Sequence, residues 1–474
     1  MIDLVVIAVY FSLMLFVGWR SRRQDAESYW VADRRYNTAR VAASLVATIF
    51  GASSTLGIIG LGYSRGLTAA WWSLTGGIVL IPFAFFLAGR VRALDVYTLP
   101  DILKNAYGRN VALPAGLMIA VAWCGVIAAQ MIAGGRLLSS IFSLDFDWAL
   151  AIVAVVFILY TFWGGQLSVI RTDSWQLILF AGGLLVSLGY LIPSGHFIHA
   201  LAEHVPAGHL CFPVSAAFGW YEVLVFYPLI VGLPYLVGPD IYSRVFCAKN
   251  NEVARRSALF AAAVVIPVSF LLAFLGLLAR SKFPGIAPEA ALPETLSLLI
   301  PVGLKGLIIA GFLGAIMSSA DTCLISASTI LTLNVIAPLW RIPKARYLNL
   351  TRAVLVTVGA VAWLVASFEQ GIISSLLLGY TVFVGGVVFP TLATFYRDRF
   401  KITPGGAFCG VVAGGSAAIL GRINGGTVMK AILTEGGQSF LHHVLGPRYL
   451  SILPIILCLL VMVIVSRFSS RGDS

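Results

Sequence analysis

The sequence predicts an all-α polytopic membrane protein made of two five-helix repeats of opposite orientation, and three observations carry that expectation. Of the 474 residues, 59% are hydrophobic and 11% charged; a soluble fold of this length could not cover its surface with so few polar groups. Apolar runs able to cross the roughly 30 Å hydrocarbon core of a bilayer recur along the whole chain. Two of these runs, five apart, are interrupted by glycine and proline, and such interruptions in corresponding positions of two halves are the sequence mark of an inverted-repeat transporter.

The runs number about thirteen, at 2–19, 41–61, 69–88, 113–142, 148–162, 174–192, 220–237, 258–279, 307–335, 353–368, 376–396, 406–420 and 450–465. An odd number places the two termini on opposite sides. Most of the 32 lysines and arginines cluster in one set of loops, at 20–23, 34–40, 90–92, 244–256, 341–352 and 397–401, with Arg244 counted among them. By the positive-inside rule these loops are cytoplasmic, so the chain is expected in a cell (inner) membrane with its N-terminus outside and its C-terminus inside. The net charge of +12 therefore does not point to nucleic acid. The six cysteines lie scattered, mostly in apolar runs, and predict no disulfide framework. His196, His199, His204, His209, His442 and His443 all fall in outer loops at irregular spacing and read as solvated residues. No cleavable signal is expected, because the first run lacks a basic leader.

Segment two carries Gly51, Gly57, Gly60 and Gly62 among Ser53, Ser54 and Thr55; segment seven carries Pro228, Gly232, Pro234, Gly238 and Pro239. Broken helices free backbone carbonyls, which a membrane tolerates only where they line a cavity or bind something. Taken singly, each segment could equally be kinked for close packing.

Segment nine holds Gly314-Ala315-Ile316-Met317-Ser318-Ser319-Ala320-Asp321-Thr322. On a helix, Ala315, Ser318, Ser319 and Thr322 fall at i, i+3, i+4 and i+7 and share a face. Hydroxyls beside a small residue offer the hard oxygens that a desolvated cation needs. The alternative is that they bond back to the preceding turn and let helices pack closely.

These residues resemble the sodium:solute symporter (SSS) family over nearly the whole chain. The likeness lies in Gly18-Trp19-Arg20-Ser21 with Tyr29-Trp30-Val31-Ala32-Asp33-Arg34, in Gly57-Ile58-Ile59-Gly60-Leu61-Gly62-Tyr63, and in Tyr97-Thr98-Leu99-Pro100-Asp101. It continues in Gly164-Gly165 with Thr172-Asp173-Ser174-Trp175-Gln176, in Gly238-Pro239-Asp240-Ile241-Tyr242-Ser243-Arg244, and in Ala315 to Ser319. The resemblance implies a LeuT-like inverted repeat (5+5 helices) in segments two to eleven, with one helix before it and two after. The expected division is a first helix and cytoplasmic loop over 1–40, the first repeat over 41–193, and an extracellular loop over 194–219. The second repeat then spans 220–400 and two C-terminal helices span 401–474.

The resemblance also implies a sodium site between segments two and nine. Carried over by position, its ligands are the carbonyls of Ala47, Phe50 and Ala315 and the hydroxyls of Ser318 and Ser319. Five neutral oxygens suit reversible binding of a coupling Na+. Asp173 reads from the residues as part of a helix N-cap with Thr172, while the family has an acidic residue here associated with sodium exit. Some relatives place a hydroxyl where Asp321 stands and use it for a second sodium, which makes Asp321 and Thr322 a candidate second ion site; a protonatable or structurally paired aspartate is the alternative. Ile49 stands where some relatives have a sodium-sensitive aspartate, so that ligand is missing.

The solute pocket is expected beside the two breaks, with Ser53, Ser54, Thr55, Trp72, Gln130, Tyr235 and Tyr380 as candidates. Trp72 and Tyr235 could equally be packing aromatics. Gln130 stands out because a neutral amide among alanine and isoleucine is costly unless it bonds to something. Arg136 could pair with an anion or snorkel outward. The expected function is a sodium-coupled secondary active symporter, not an enzyme, importing a small organic solute such as an amino acid or monocarboxylate by alternating access. The rivals are a proton-coupled carrier using Asp173 and Asp321, a membrane-embedded enzyme, and a transporter-like sensor. The enzyme would call for a catalytic cluster that the sequence does not display, and the few residues after segment thirteen predict no signalling domain.

Overall fold

The computed structural model describes residues 2–192, 205–369, 371–422 and 426–469. They form helices and connecting loops, and among them extended pairing is confined to the bridges of Tyr36 with Ala248 and Ser215 with Phe218. His196, His199 and His204 lie outside the described residues; His442 and His443 sit on the short helix Glu435–Leu445 rather than in an open loop.

Ten helices among the described residues are long and apolar enough to cross a membrane, against about thirteen expected segments. The difference has a physical origin. Ser53–Ala93 runs from the second half of segment two through segment three, Phe146–Leu191 holds segments five and six together, and segment twelve, Pro404–Leu420, is short. Helix starts follow the side chains: Asn37, Asn250 and Thr403 each accept a backbone N–H of the first turn, and Thr98 with Asp101 forms a capping box.

The turn between segments five and six corrects the sequence reading. Helical character persists through 163–173, and the chain reverses at Gly165, whose φ is +53°. An added Cβ there would fall 2.5 Å from the Tyr29 ring, so a residue without one lets the chain turn against that ring. Thr172 and Asp173 are consequently buried inside a helix and are not its N-cap.

Segment nine is the central element: Leu304–Ile330 has every residue from Ile308 to Ile330 buried. Its start is capped from segment one, where Asp3 Oδ1 accepts the N–H groups of Gly303 (2.7 Å) and Gly306 (2.8 Å). Segment two is helical over Thr38–Ile49, broken at Phe50 to Ala52, and resumes as a π-helical turn leading into Ile58–Arg65. Segment seven breaks at Gly238 (ψ 132°) and resumes as Pro239–Phe246. Arg244, read from the sequence as a loop charge, is therefore on a buried half-helix and fully enclosed. Segments two and eight cross in backbone contact, since a Cβ on Gly62 would lie 2.3 Å from the Ala273 carbonyl oxygen and one on Gly276 2.0 Å from that of Ile59.

Candidate cation and solute site

The break in segment two has a specific cause. The last backbone bond of its first half runs from Phe50 N–H to the Val46 carbonyl (3.1 Å). The Ala52 N–H, which would continue the helix onto Thr48, is taken instead by Gln130 Oε1 at 2.7 Å. The Thr48 carbonyl receives the Ser319 hydroxyl at 2.5 Å. Both displaced backbone groups thus find buried partners, as membrane burial demands. Gly51 makes room for the exchange: an added Cβ would sit 2.5 Å from Ser319 Oγ and 2.7 Å from Gln130 Oε1.

The stripe on segment nine divides between its two sequence readings. The Thr322 hydroxyl donates to the Ser318 carbonyl one turn back (2.7 Å), as a packing hydroxyl does. Ser318 and Ser319 reach off the helix, Ser318 donating to Asp173 Oδ1 at 2.7 Å. Asp173 also accepts from Ser44 and faces Arg244, with Nη2 3.4 Å from Oδ2. The Arg244 guanidinium in turn donates to Thr48 Oγ1 (3.0 Å, from Nε) and to Thr322. All of these side chains are buried. One carboxylate, one guanidinium and four hydroxyls from segments two, six, seven and nine therefore form a single network, joined by Ser319 through the Thr48 carbonyl, in which the two charges compensate each other.

Ala47 lies in the last turn before the break and Phe50 at the break, within the same backbone stretch as Thr48, onto which Ser319 bonds. Ala315 is one turn before Ser319 and buried. Asp321 and Thr322 diverge: Asp321 Oδ1 accepts from Thr161 of segment five (2.7 Å), its Oδ2 has no hydrogen-bond partner, and Thr322 is engaged by Arg244.

A cavity of about 30 Å³ lies between the two breaks. Ser53, Ser54, Gln130, Tyr235 and Tyr380 line it, as do Thr48 and Ser319 of the polar network and Asp240 of the half-helix. Thr55 and Trp72 do not. The Thr55 hydroxyl donates to the Gly51 carbonyl (2.7 Å), and Trp72 packs edge-on against Tyr227 with centroids 5.8 Å apart. Arg136 is absent from the lining. A larger groove of about 830 Å³ between the ends of segments eleven and thirteen touches none of these residues. Sequence reasoning missed Arg244 and Asp240 as site residues. The available signal was their spacing, four apart directly after Gly238-Pro239, which puts both on one helical face.

Two helices interrupted on either side of one cavity, with a buried charged network against the first break, define a membrane carrier of the inverted-repeat type. The chain belongs to the sodium:solute symporter family, whose model matches residues 29–414. It is 28% identical over 381 residues to the sodium/myo-inositol cotransporter 2 of Rattus norvegicus, covering 70% of this chain and 56% of that one, so it spans little more than half the length of that relative. It is 25% identical over 459 residues to the sodium/glucose cotransporter of Vibrio parahaemolyticus, covering 87% and 83% of the two chains. A solved structure of a Na+-coupled sialic acid symporter, in a substrate-bound outward-open state, matches with a TM-score of 0.75 and 19% identity over 97% of this chain and 98% of that one. The LeuT-like fold is thereby shown.

Proposed function

We propose that this chain is a sodium-coupled symporter that carries a small organic solute into the cell by alternating access. The observation that carries the reading is that Thr48 and Ser319 belong both to the polar network and to the cavity lining. A cation held by the carbonyls of Ala47, Phe50 and Ala315 and the hydroxyls of Ser318 and Ser319 would draw segments two and nine together at the wall of the solute cavity. Binding there favours the conformation in which that wall is complete, and this differential affinity is what couples ion to solute. The reading places the first repeat at 41–193 and the second at 220–400, with the N-terminus outside and the C-terminus in the cytoplasm of a cell (inner) membrane; the lysine and arginine distribution supports that orientation.

Uptake into proteoliposomes with sodium replaced by potassium at fixed pH tests the coupling. Uptake is expected to collapse, and unchanged uptake would overturn the reading. Ser318→Ala or Ser319→Ala should raise the sodium concentration for half-maximal uptake by about tenfold each, the worth of one hydroxyl ligand to a charged partner. A proton-coupled reading is favoured by one observation, the unpartnered buried Oδ2 of Asp321; uptake driven by an inward pH step without sodium, and lost in Asp321→Asn, would establish it instead.

The solute cavity has its own test. A Cβ on Gly76 would fall 2.4 Å from Tyr235 Cζ, so Gly76→Ala must displace that ring, which lines the cavity. The solute concentration for half-maximal uptake should rise about tenfold, in line with the strain of overpacking. Sodium half-saturation should stay within about twofold, because the atoms nearest that Cβ all belong to the Tyr235 ring and none to the network of Asp173 and Arg244.

A further inference from the structure

Asp240 is a carboxylate on the wall of the solute cavity, and the lining contains no lysine, arginine or histidine. It sits in the first turn of Pro239–Phe246, directly after the break, with Oδ1 folded back over Gly238, where an added Cβ would lie 2.5 Å away. The nearest candidate counter-charge on its own helix is Arg244, one turn on. That guanidinium is already committed to Asp173, Thr48 and Thr322. Among the described residues Asp240 forms no ion pair of its own. The helix N-terminus softens the cost of a carboxylate here but does not neutralise it. Asp240 is half-buried at the cavity wall; a carboxylate drawn partly out of water without a cation is costly, and the compensation comes from what enters the cavity. Tyr235 and Tyr380 line the same space, and aromatic rings as a class favour a cation over an anion.

Resting on the symporter reading above, we propose that Asp240 is the charged partner of the transported solute, and that the solute is a small amine carrying a protonated amino group, free or zwitterionic. An organic anion would meet Asp240 with like charge. A neutral polyol would hydrogen-bond to it but leave its charge in place.

The test is thermal unfolding of the purified full chain, in sodium and in potassium, with L-proline, L-alanine, ethanolamine, myo-inositol and pyruvate. At least one amino compound should raise the melting temperature in sodium, while myo-inositol and pyruvate do not. Asp240→Asn should weaken that effect at least about tenfold in solute concentration, the scale of a lost charge-assisted bond. The same variant should keep the stabilisation given by sodium alone, which shows it folded with its ion site intact. Stabilisation by myo-inositol or pyruvate alone, no stabilisation by any amino compound, or an Asp240→Asn variant that responds as the parent does would each overturn the assignment. An amino compound that acts equally in potassium, through Asp240, would instead overturn sodium coupling and leave this assignment standing.

Discussion

Arg244→Met is expected to be the most damaging single substitution in the molecule, lowering stability by about 3–5 kcal/mol and abolishing uptake. The guanidinium is fully buried and holds three partners at once, Asp173, Thr48 and Thr322. Removing it strands the Asp173 carboxylate with only the hydroxyls of Ser44 and Ser318 for company. Arg244→Lys should also fail, because a single ammonium cannot reproduce a planar fork that donates along several directions. The double variant Asp173→Asn with Arg244→Met removes the stranded charge, so it should melt higher than Arg244→Met alone. Melting temperatures of the three purified variants decide the matter; an unchanged melting temperature in Arg244→Met would show that the pair does not hold the four segments together.

Gly51→Ala is expected to cost transport rather than folding. Its Cβ would meet Ser319 Oγ at 2.5 Å and Gln130 Oε1 at 2.7 Å, and both are side-chain atoms that can retreat. If Ser319 retreats it leaves the Thr48 carbonyl; if Gln130 retreats it leaves the Ala52 N–H. Either movement disturbs the break, at a cost of about 1–3 kcal/mol. Uptake at fixed sodium should fall at least about tenfold, with a matching rise in sodium half-saturation. A variant with normal sodium dependence would show that the break tolerates a methyl group and that the proposed ion site lies elsewhere.

Much of this architecture was legible in the residues because membrane helices declare themselves by apolar length and breaks declare themselves by glycine and proline. Gln130 was legible for a simple physical reason: an amide among alanines must have a partner, and it has the Ala52 N–H. The interior position of Asp173 was hidden because Gly164-Gly165 and the polar residues after it read as a loop, whereas the chain turns at one glycine and resumes its helix at once. Arg244 and Asp240 were hidden by the same rule that found segment seven. A half-helix of eight residues beyond Gly238 is too short and too polar to read as membrane-spanning, so its arginine was counted with the loop charges. For Trp72 the residues left two readings open, solute contact or packing, and the structure shows its ring edge-on against Tyr227.

The crossing at Gly62 and Gly276 restricts how the carrier can move. With backbone touching backbone, the proposed alternating access is expected to carry the later half of segment two and segment eight as one body. On that reading the rocking is expected at the three residues from Phe50 to Ala52 as a pivot, with the earlier half, Thr38–Ile49, as the swinging arm. A cysteine crosslink between the touching helices should leave turnover intact, while one that locks the arm to segment nine should freeze it.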